Sequence, residues 1–308
     1  MPNESTTMPP PSDKLLKEVF HREHQRTHGV MVLARRYTPF WMRRVLRAPY
    51  LATLDGLDTV LGRRDPLVPP RYLNYAGFAG YRDAGLEYLG HFKSLCGLQP
   101  NHRVLDIGCG IGRMAVGLTG YLSKQGSYEG LDIVPSGIRW CQNNITPRYP
   151  QFHFQVADIY NKQYNPTGRY QAADYRFPFP DGEFDLIYLS SVYTHLLPRD
   201  LDHYVAEVAR MLKPGGKNLA TYFLLDDVSS REMKAGKSAI NFEFPMDGFW
   251  TNDPVTPETG VAYAASSVAP VLQRHSLIHD GTHLGMWSGR TDKTLSYQDI
   301  VIATKPRK

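Results

Sequence analysis

The sequence predicts an α/β protein with a doubly wound, mostly parallel seven-stranded sheet, an antiparallel last strand and an N-terminal helical extension. Short apolar runs alternate with helical patterns from residue 83 to residue 225. One run, VLDIGCGIGR at 104–113, passes from a strand into a glycine-rich turn and then a helix. The last two strands, 276–283 and 296–303, are joined by too short a connection for a parallel crossover, so they pair antiparallel.

Residues 1–12 read as a disordered tail, with Pro9, Pro10 and Pro11 blocking regular structure. Residues 13–69 read as a basic, mostly helical extension. Ser12 and Asp13 cap its first helix, and a second helix within 29–61 is expected to break near Pro39 and Pro49. From residue 70 onward the pattern is that of one domain. Helices are expected at 83–97, 114–122, 136–143, 199–212 and 264–274. Strands are expected at 102–106, 128–133, 152–157, 184–189 and 219–225. The run Lys213-Pro214-Gly215-Gly216 is a helix stop signal. Two insertions, near 160–180 and 228–260, are rich in aromatic residues and turn formers and read as lids.

Bulk properties exclude several classes. The chain has 308 residues, 42% of them hydrophobic, enough for a full-sized core. Cys96, Cys109 and Cys141 are too few and too scattered for a disulfide framework, and no CxxC pair suggests zinc. No stretch is apolar for the roughly 20 residues that span a bilayer, and the start resembles no targeting peptide, so a cytoplasmic location is expected. The net charge of +5 is concentrated: residues 31–50 hold five arginines (Arg35, Arg36, Arg43, Arg44, Arg47) and no acid, interleaved with Phe40, Trp41 and Met42. Two readings stay open for this segment, a helical cover with solvated arginines or a peripheral membrane contact, and the cover is preferred. Nucleic acid is disfavoured, because the remainder carries almost no surplus positive charge.

The glycine turn identifies the ligand class. A carboxylate directly before it would repel a dinucleotide's pyrophosphate, whereas Asp106 suits the cationic ammonium of S-adenosylmethionine (SAM), directly or through water. The GxGxG spacing of Gly108, Gly110 and Gly112, around Cys109, also lacks the dinucleotide step. Asp132, followed by Ile133, ends the second strand, where a carboxylate can take both hydroxyls of a ribose. Asp158, followed by Ile159, ends the third and can accept from an adenine amino group. Three acids at successive strand ends therefore match three polar parts of one ligand.

On VLDIGCGIGR, YEGLDI, VADIY, FPFPDGEFDLIYLSSVYTHL and LKPGG, residues from about 70 to 308 resemble the bacterial class I SAM-dependent methyltransferases of small-molecule type. The resemblance implies SAM at Asp106, Gly108, Gly110, Gly112 and Asp132, a methionine end lined by Leu189 and Ser190, and no metal. The chain departs from simpler relatives between strands three and four, where a longer insertion leaves Asp158 and Asp174 as rivals for the adenine; Asp158 is favoured.

Methyl transfer needs an aligned acceptor, excluded water and, for weakly acidic acceptors, a base. His195, just after strand four, is the candidate base or orienting group, against a structural role capping the next helix. Tyr193, Phe244 and Trp250 are the candidate acceptor contacts. His21, His24 and His28 read as a solvated helix face rather than a metal site. Asp226 and Asp227 are discounted as metal ligands because serines, not an acid, follow strand four. The base-methylation signatures, Asn/Asp-Pro-Pro-Tyr after strand four and a Pro-Cys nucleophile, are absent. The expected partner is a small-molecule acceptor. A lipid or lipid-linked glycan acceptor and a non-catalytic SAM-binding role are the alternatives.

Overall fold

The computed structural model describes residues 40–73, 80–162 and 164–307, and the tail, the first helix and the histidine trio expected above lie outside them. Two compact units emerge: Met1–Asp65 with Pro70–Ala79, and Pro66–Pro69 with Gly80–Lys308.

Among the described residues of the first unit, helix α1 (Phe40–Val60) runs through Pro49. The break expected there does not occur, although proline removes a helix donor and crowds the carbonyl one turn back. A hub after the proline holds the helix. The buried Asp55 carboxylate accepts from Arg64 Nη1 at 2.7 Å, Arg71 Nη1 at 2.9 Å and the Arg71 amide at 2.8 Å. Asp58 pairs with Arg71 Nη2 at 2.6 Å, and this contact raises the Arg71 pKa further above its ordinary value.

The second unit holds helix α2 (Tyr81–Cys96) and then the parallel strands β1 (Arg103–Ile107), β2 (Ser127–Asp132), β3 (Phe152–Val156), β4 (Phe184–Leu189) and β5 (Leu212–Tyr222). Helices α3 (Arg113–Leu118), α4 (Pro135–Asn144) and α5 (Pro198–Met211) connect them. The strands order as β3-β2-β1-β4-β5, and registers such as Asp106↔Gly130 and Asp106↔Tyr188 put the strand ends level. Past β5 lies β11 (Asp299–Thr304), antiparallel to β5 and, on its other side, to β10 (Ile278–His283). The expected seven-stranded sheet with an antiparallel last strand is observed.

Strand alternation sorts the two faces. Leu105, Ile107, Ile187, Leu189, Ala220 and Val301 share a core with Tyr204, Val205 and Val208 of α5, joined by Val268 and Leu272 of α7 (Val268–Arg274). On the other face Phe92 of α2 lies 4.4 Å, ring to ring, from Tyr188. There α2 and α3 cross almost in backbone contact: a Cβ on Gly117 would come within 2.2 Å of the Gly85 carbonyl oxygen. Only glycines allow that approach.

Two expectations are corrected at the far end. The helix does end before Lys213 as expected, but β5 begins at Leu212 rather than at 219 and runs through 213–216, because the Gly215 amide donates to the Lys305 carbonyl and the Lys305 amide to the Gly216 carbonyl. The end of β11 thus draws 213–216 into the sheet as a bulge, seen as a register jump from Phe184↔Leu212 to Leu186↔Lys217. Residues 224–264 fold partly as a second, four-stranded sheet: β6 (Leu224–Leu225), β9 (Val261–Ala264), β8 (Trp250–Thr251) and β7 (Phe244–Pro245) in spatial order, with α6 (Asp227–Lys234) between β6 and β7. Ala264, expected in a helix, ends β9, and the helix starts at Val268. Phe223, Phe242, Ala262 and Trp287 form the small core of this insertion.

Candidate active site

The carboxyl ends of β1, β2, β4 and β5 and the amino end of the antiparallel β11 share one edge, where open α/β sheets place ligands. Gly108, Gly110 and Gly112 have φ of 82°, 60° and 82°, a left-handed conformation that turns the chain from β1 into α3. The Gly108 and Cys109 amides both donate to the Leu131 carbonyl, at 2.7 and 2.9 Å, stapling the turn to β2. A Cβ on Gly108 would stand 2.3 Å from Val192 Cγ2, so the segment after β4 lies against the turn. The Cys109 side chain points inward and is buried, and burial pushes its thiol pKa far up.

Asp132 is held on both oxygens, by the Gly110 amide at 2.7 Å and the Val134 amide at 2.8 Å. Ile133 beside it is half-buried. Asp106 is 1% exposed beneath the turn, and its Oδ2 accepts from the hydroxyls of Tyr128 and Tyr188, both at 2.6 Å. Burial pushes its pKa up to about 7, against the two phenol hydrogen bonds. The structure thus turns Asp106 toward two neighbouring strands rather than toward open space.

Asp158 is exposed just past β3, and its Oδ1 accepts from the Arg169 amide at 3.2 Å. Its rival Asp174 instead pairs with Arg199 at 3.0 Å. Ile159 is buried, and Gly168 rests directly on its backbone. This folds residues 158–162 and 164–170 into a tight flap, bridged at Asn161↔Asn165. The flap brings Tyr164 close enough to Asp132 for that charge, after burial, to raise its hydroxyl pKa. Only the aromatic content of the flap was legible beforehand.

On the acceptor side, Ser190 Oγ donates to Tyr88 Oη at 3.2 Å. His195 lies in a 3-10 turn, Tyr193–His195, and its Nδ1 is 2.8 Å from the Glu258 carbonyl oxygen. That contact requires the proton on Nδ1 and leaves the Nε2 lone pair without a partner among the described residues. Burial lowers the His195 pKa, so the ring is neutral at pH 7. Tyr193 departs from its expected place on an open wall. It is fully buried, its ring 5.1 Å from Tyr222, and its hydroxyl has no hydrogen-bond partner among the described residues. Trp250 is half-buried against the insertion core, while Phe244 is 40% exposed at the hairpin edge. Gly248 of the same hairpin approaches Pro198, three residues beyond His195. Among the described residues no group of His, Cys, Asp and Glu could hold a metal ion.

The donor set fits SAM: a left-handed glycine turn, an oriented carboxylate at the end of β2 and an exposed acid at the end of β3. Comparison with known proteins agrees. Residues 104–216 match the methyltransferase domain family. The chain is 34% identical over 134 residues to a fatty-acid O-methyltransferase of Mycolicibacterium smegmatis, covering 42% of this chain and 38% of that protein. It is 29% identical over 153 residues to phosphoethanolamine N-methyltransferase 3 of Arabidopsis thaliana, covering 49% of this chain and 27% of that protein. It therefore spans well under two thirds of these relatives. The solved structure of a Pyrococcus horikoshii protein shares the fold, with a TM-score of 0.51, 16% identity, and coverage of 76% of this chain and 95% of that one. These matches support a class I SAM-dependent methyltransferase domain at residues 104–216, and they indicate SAM as the cofactor.

Proposed function

We propose that the whole chain transfers the methyl group of SAM to a small-molecule acceptor by in-line displacement, as a bacterial enzyme of the small-molecule type. The observation that carries this reading is the oriented Asp132 carboxylate, fixed by two backbone amides beside the glycine turn. Asp132 would take the ribose hydroxyls, Gly108 to Gly112 would lie along the methionine portion, and Asp158 with Ile159 would flank the adenine. Bound SAM supplies a methyl group already activated by sulfonium. The protein's own work is alignment and exclusion of water. His195 presents an unprotonated Nε2, which accepts the proton of a weakly acidic acceptor or orients it. Trp250 and Phe244 would wall the acceptor.

The test is a screen of metabolite fractions with methyl-labelled SAM and purified protein. Label in a small-molecule fraction is the expected result. SAM binding by calorimetry with no label in any fraction would sink the transfer reading and leave a SAM-binding regulatory or partner protein. A second reading, a lipid or lipid-linked acceptor at a membrane surface, is favoured by the exposed Phe244 (40%), Met246 (42%) and Val255 (80%) on the insertion. Among the described residues no helix is long and apolar enough to cross a membrane, so this reading relies on peripheral contact through residues 31–50. Label in the lipid fraction would select it. A tRNA N(3)-cytidine methyltransferase of Gallus gallus is also among the relatives. RNA therefore belongs in the screen, although the charge outside residues 31–50 does not favour it.

A further inference from the structure

Three polar side chains far apart in sequence meet at the sheet edge, on the side of β4 away from β1. Ser191, two residues past β4, has φ of 58°, a left-handed conformation that a non-glycine residue adopts only when its surroundings enforce it. Its amide donates to Thr221 Oγ1 at 2.7 Å, and its hydroxyl donates to Gln298 Oε1 at 2.8 Å. Thr221, near the end of β5, donates its own hydroxyl to the same Gln298 Oε1 at 2.7 Å. Gln298 directly precedes β11, whose first residue, Asp299, is level with Tyr222.

These bonds fix the orientation of the Gln298 carboxamide. Thr221 Oγ1 accepts the Ser191 amide, and with the Gln298 oxygen facing them both hydroxyls have an acceptor for their protons. The nitrogen end, Nε2, is left with two N–H donors and no partner among the described residues. The residue is 9% exposed, yet Nε2 is not one of the fully buried polar atoms left without a partner, so it faces accessible space where a ligand or water can take its donors. Val192, the next residue after Ser191, packs on Gly108, which puts this cluster beside the methionine end of the proposed SAM site.

We propose that Gln298 is an acceptor-binding residue whose Nε2 donates to an oxygen of the methyl acceptor (a carboxylate, carbonyl or hydroxyl). The inference rests on the methyl-transfer reading above. Two fixed N–H donors attract oxygen lone pairs and repel an ammonium group. Ser191 and Thr221 are positioning residues, which act by holding the amide in this orientation.

The experiment uses the full chain loaded with S-adenosylhomocysteine and three probes of equal chain length: decanoate, decanol and decylamine, titrated by calorimetry. Decanoate or decanol is expected to bind at least about tenfold more tightly than decylamine, since one good hydrogen bond to a buried donor is worth that much. Gln298→Leu should erase the difference while leaving the affinity for S-adenosylhomocysteine unchanged. Gln298→Glu retains an oxygen for the Ser191 and Thr221 hydroxyls but replaces the donor edge with a carboxylate oxygen, so it should turn the preference toward decylamine. This second variant keeps the test decisive if the leucine variant fails to fold. The proposal is overturned if decylamine binds as well as the oxygen probes, if none of the three binds, or if the preference survives Gln298→Leu. A parallel loss of S-adenosylhomocysteine affinity in that variant would also overturn it, by placing Gln298 in the cofactor site. Failure of the unaltered chain to bind S-adenosylhomocysteine would instead defeat the methyl-transfer reading itself.

Discussion

The two halves of the sheet edge are built on different principles. On the β1–β3 side, the glycine turn and Asp132 lie within one short stretch of chain and are held mainly by backbone amides. On the β4–β11 side, each contact joins segments far apart: Ser191 with Gln298, His195 with Glu258, Leu224 with Asp299. The half proposed to hold the cofactor is a local backbone construction, whereas the half proposed to hold the acceptor depends on where two insertions and the last strand come to rest. One half suits a ligand that never changes; the other can be refitted to a new acceptor without disturbing the first.

The contrast breaks most visibly at His195. If the acceptor half does the acid–base work, His195→Ala should lower kcat by roughly 10²–10⁴ while SAM affinity, measured by calorimetry, holds. A near wild-type rate at every pH would return His195 to a structural role. Because burial depresses its pKa, the neutral, competent form persists below the pH at which a free imidazole would gain its proton.

Next in size is Asp106, the point where the cofactor half relies on a buried charge. Its folded pKa of about 7 lies above the ordinary aspartate value, so the native state holds its proton more tightly than the unfolded chain does. The sign follows: its contribution is complete below about pH 4 and is lost as pH rises toward 7. Asp106→Asn cannot ionise, so its stability relative to the unaltered chain should improve by up to about 4 kcal/mol between those limits. Urea midpoints at pH 5 and pH 8 measure the difference, and an equal gap at both would show that Asp106 does not titrate in this range.

Asp132→Ala sharpens the comparison from the cofactor side. Loss of charged hydrogen bonds should weaken SAM by roughly ten- to a hundredfold, and the unclamped glycine turn adds to it. An unchanged dissociation constant would remove Asp132 from the ribose. The smallest effect is expected where the halves touch: Lys162 of the flap donates to Thr256 of the insertion at 3.1 Å, on the surface. Lys162→Ala should cost no more than about 0.5 kcal/mol in thermal unfolding, as exposed contacts do. A large loss would mean that the two halves stabilise one another.

Much of this molecule was determined by the sequence alone, for a physical reason. Left-handed φ at Gly108, Gly110 and Gly112, the short apolar runs of β1 to β5 and an acid at the end of β2 are demands on single residues or short runs, so they are written locally. The antiparallel last strand was legible too, because a short connection permits no other pairing. Only the tertiary structure decided the rest. It carried α1 through Pro49, drew Pro214 and its glycines into β5, and made a second sheet of residues 224–264. It buried Tyr193, expected to be open, and turned Asp106 onto Tyr128 and Tyr188. It also brought Gln298 to Ser191. Each of these depends on which distant segment supplies a hydrogen-bond partner or covers an apolar face, and no residue carries that information in its own neighbourhood.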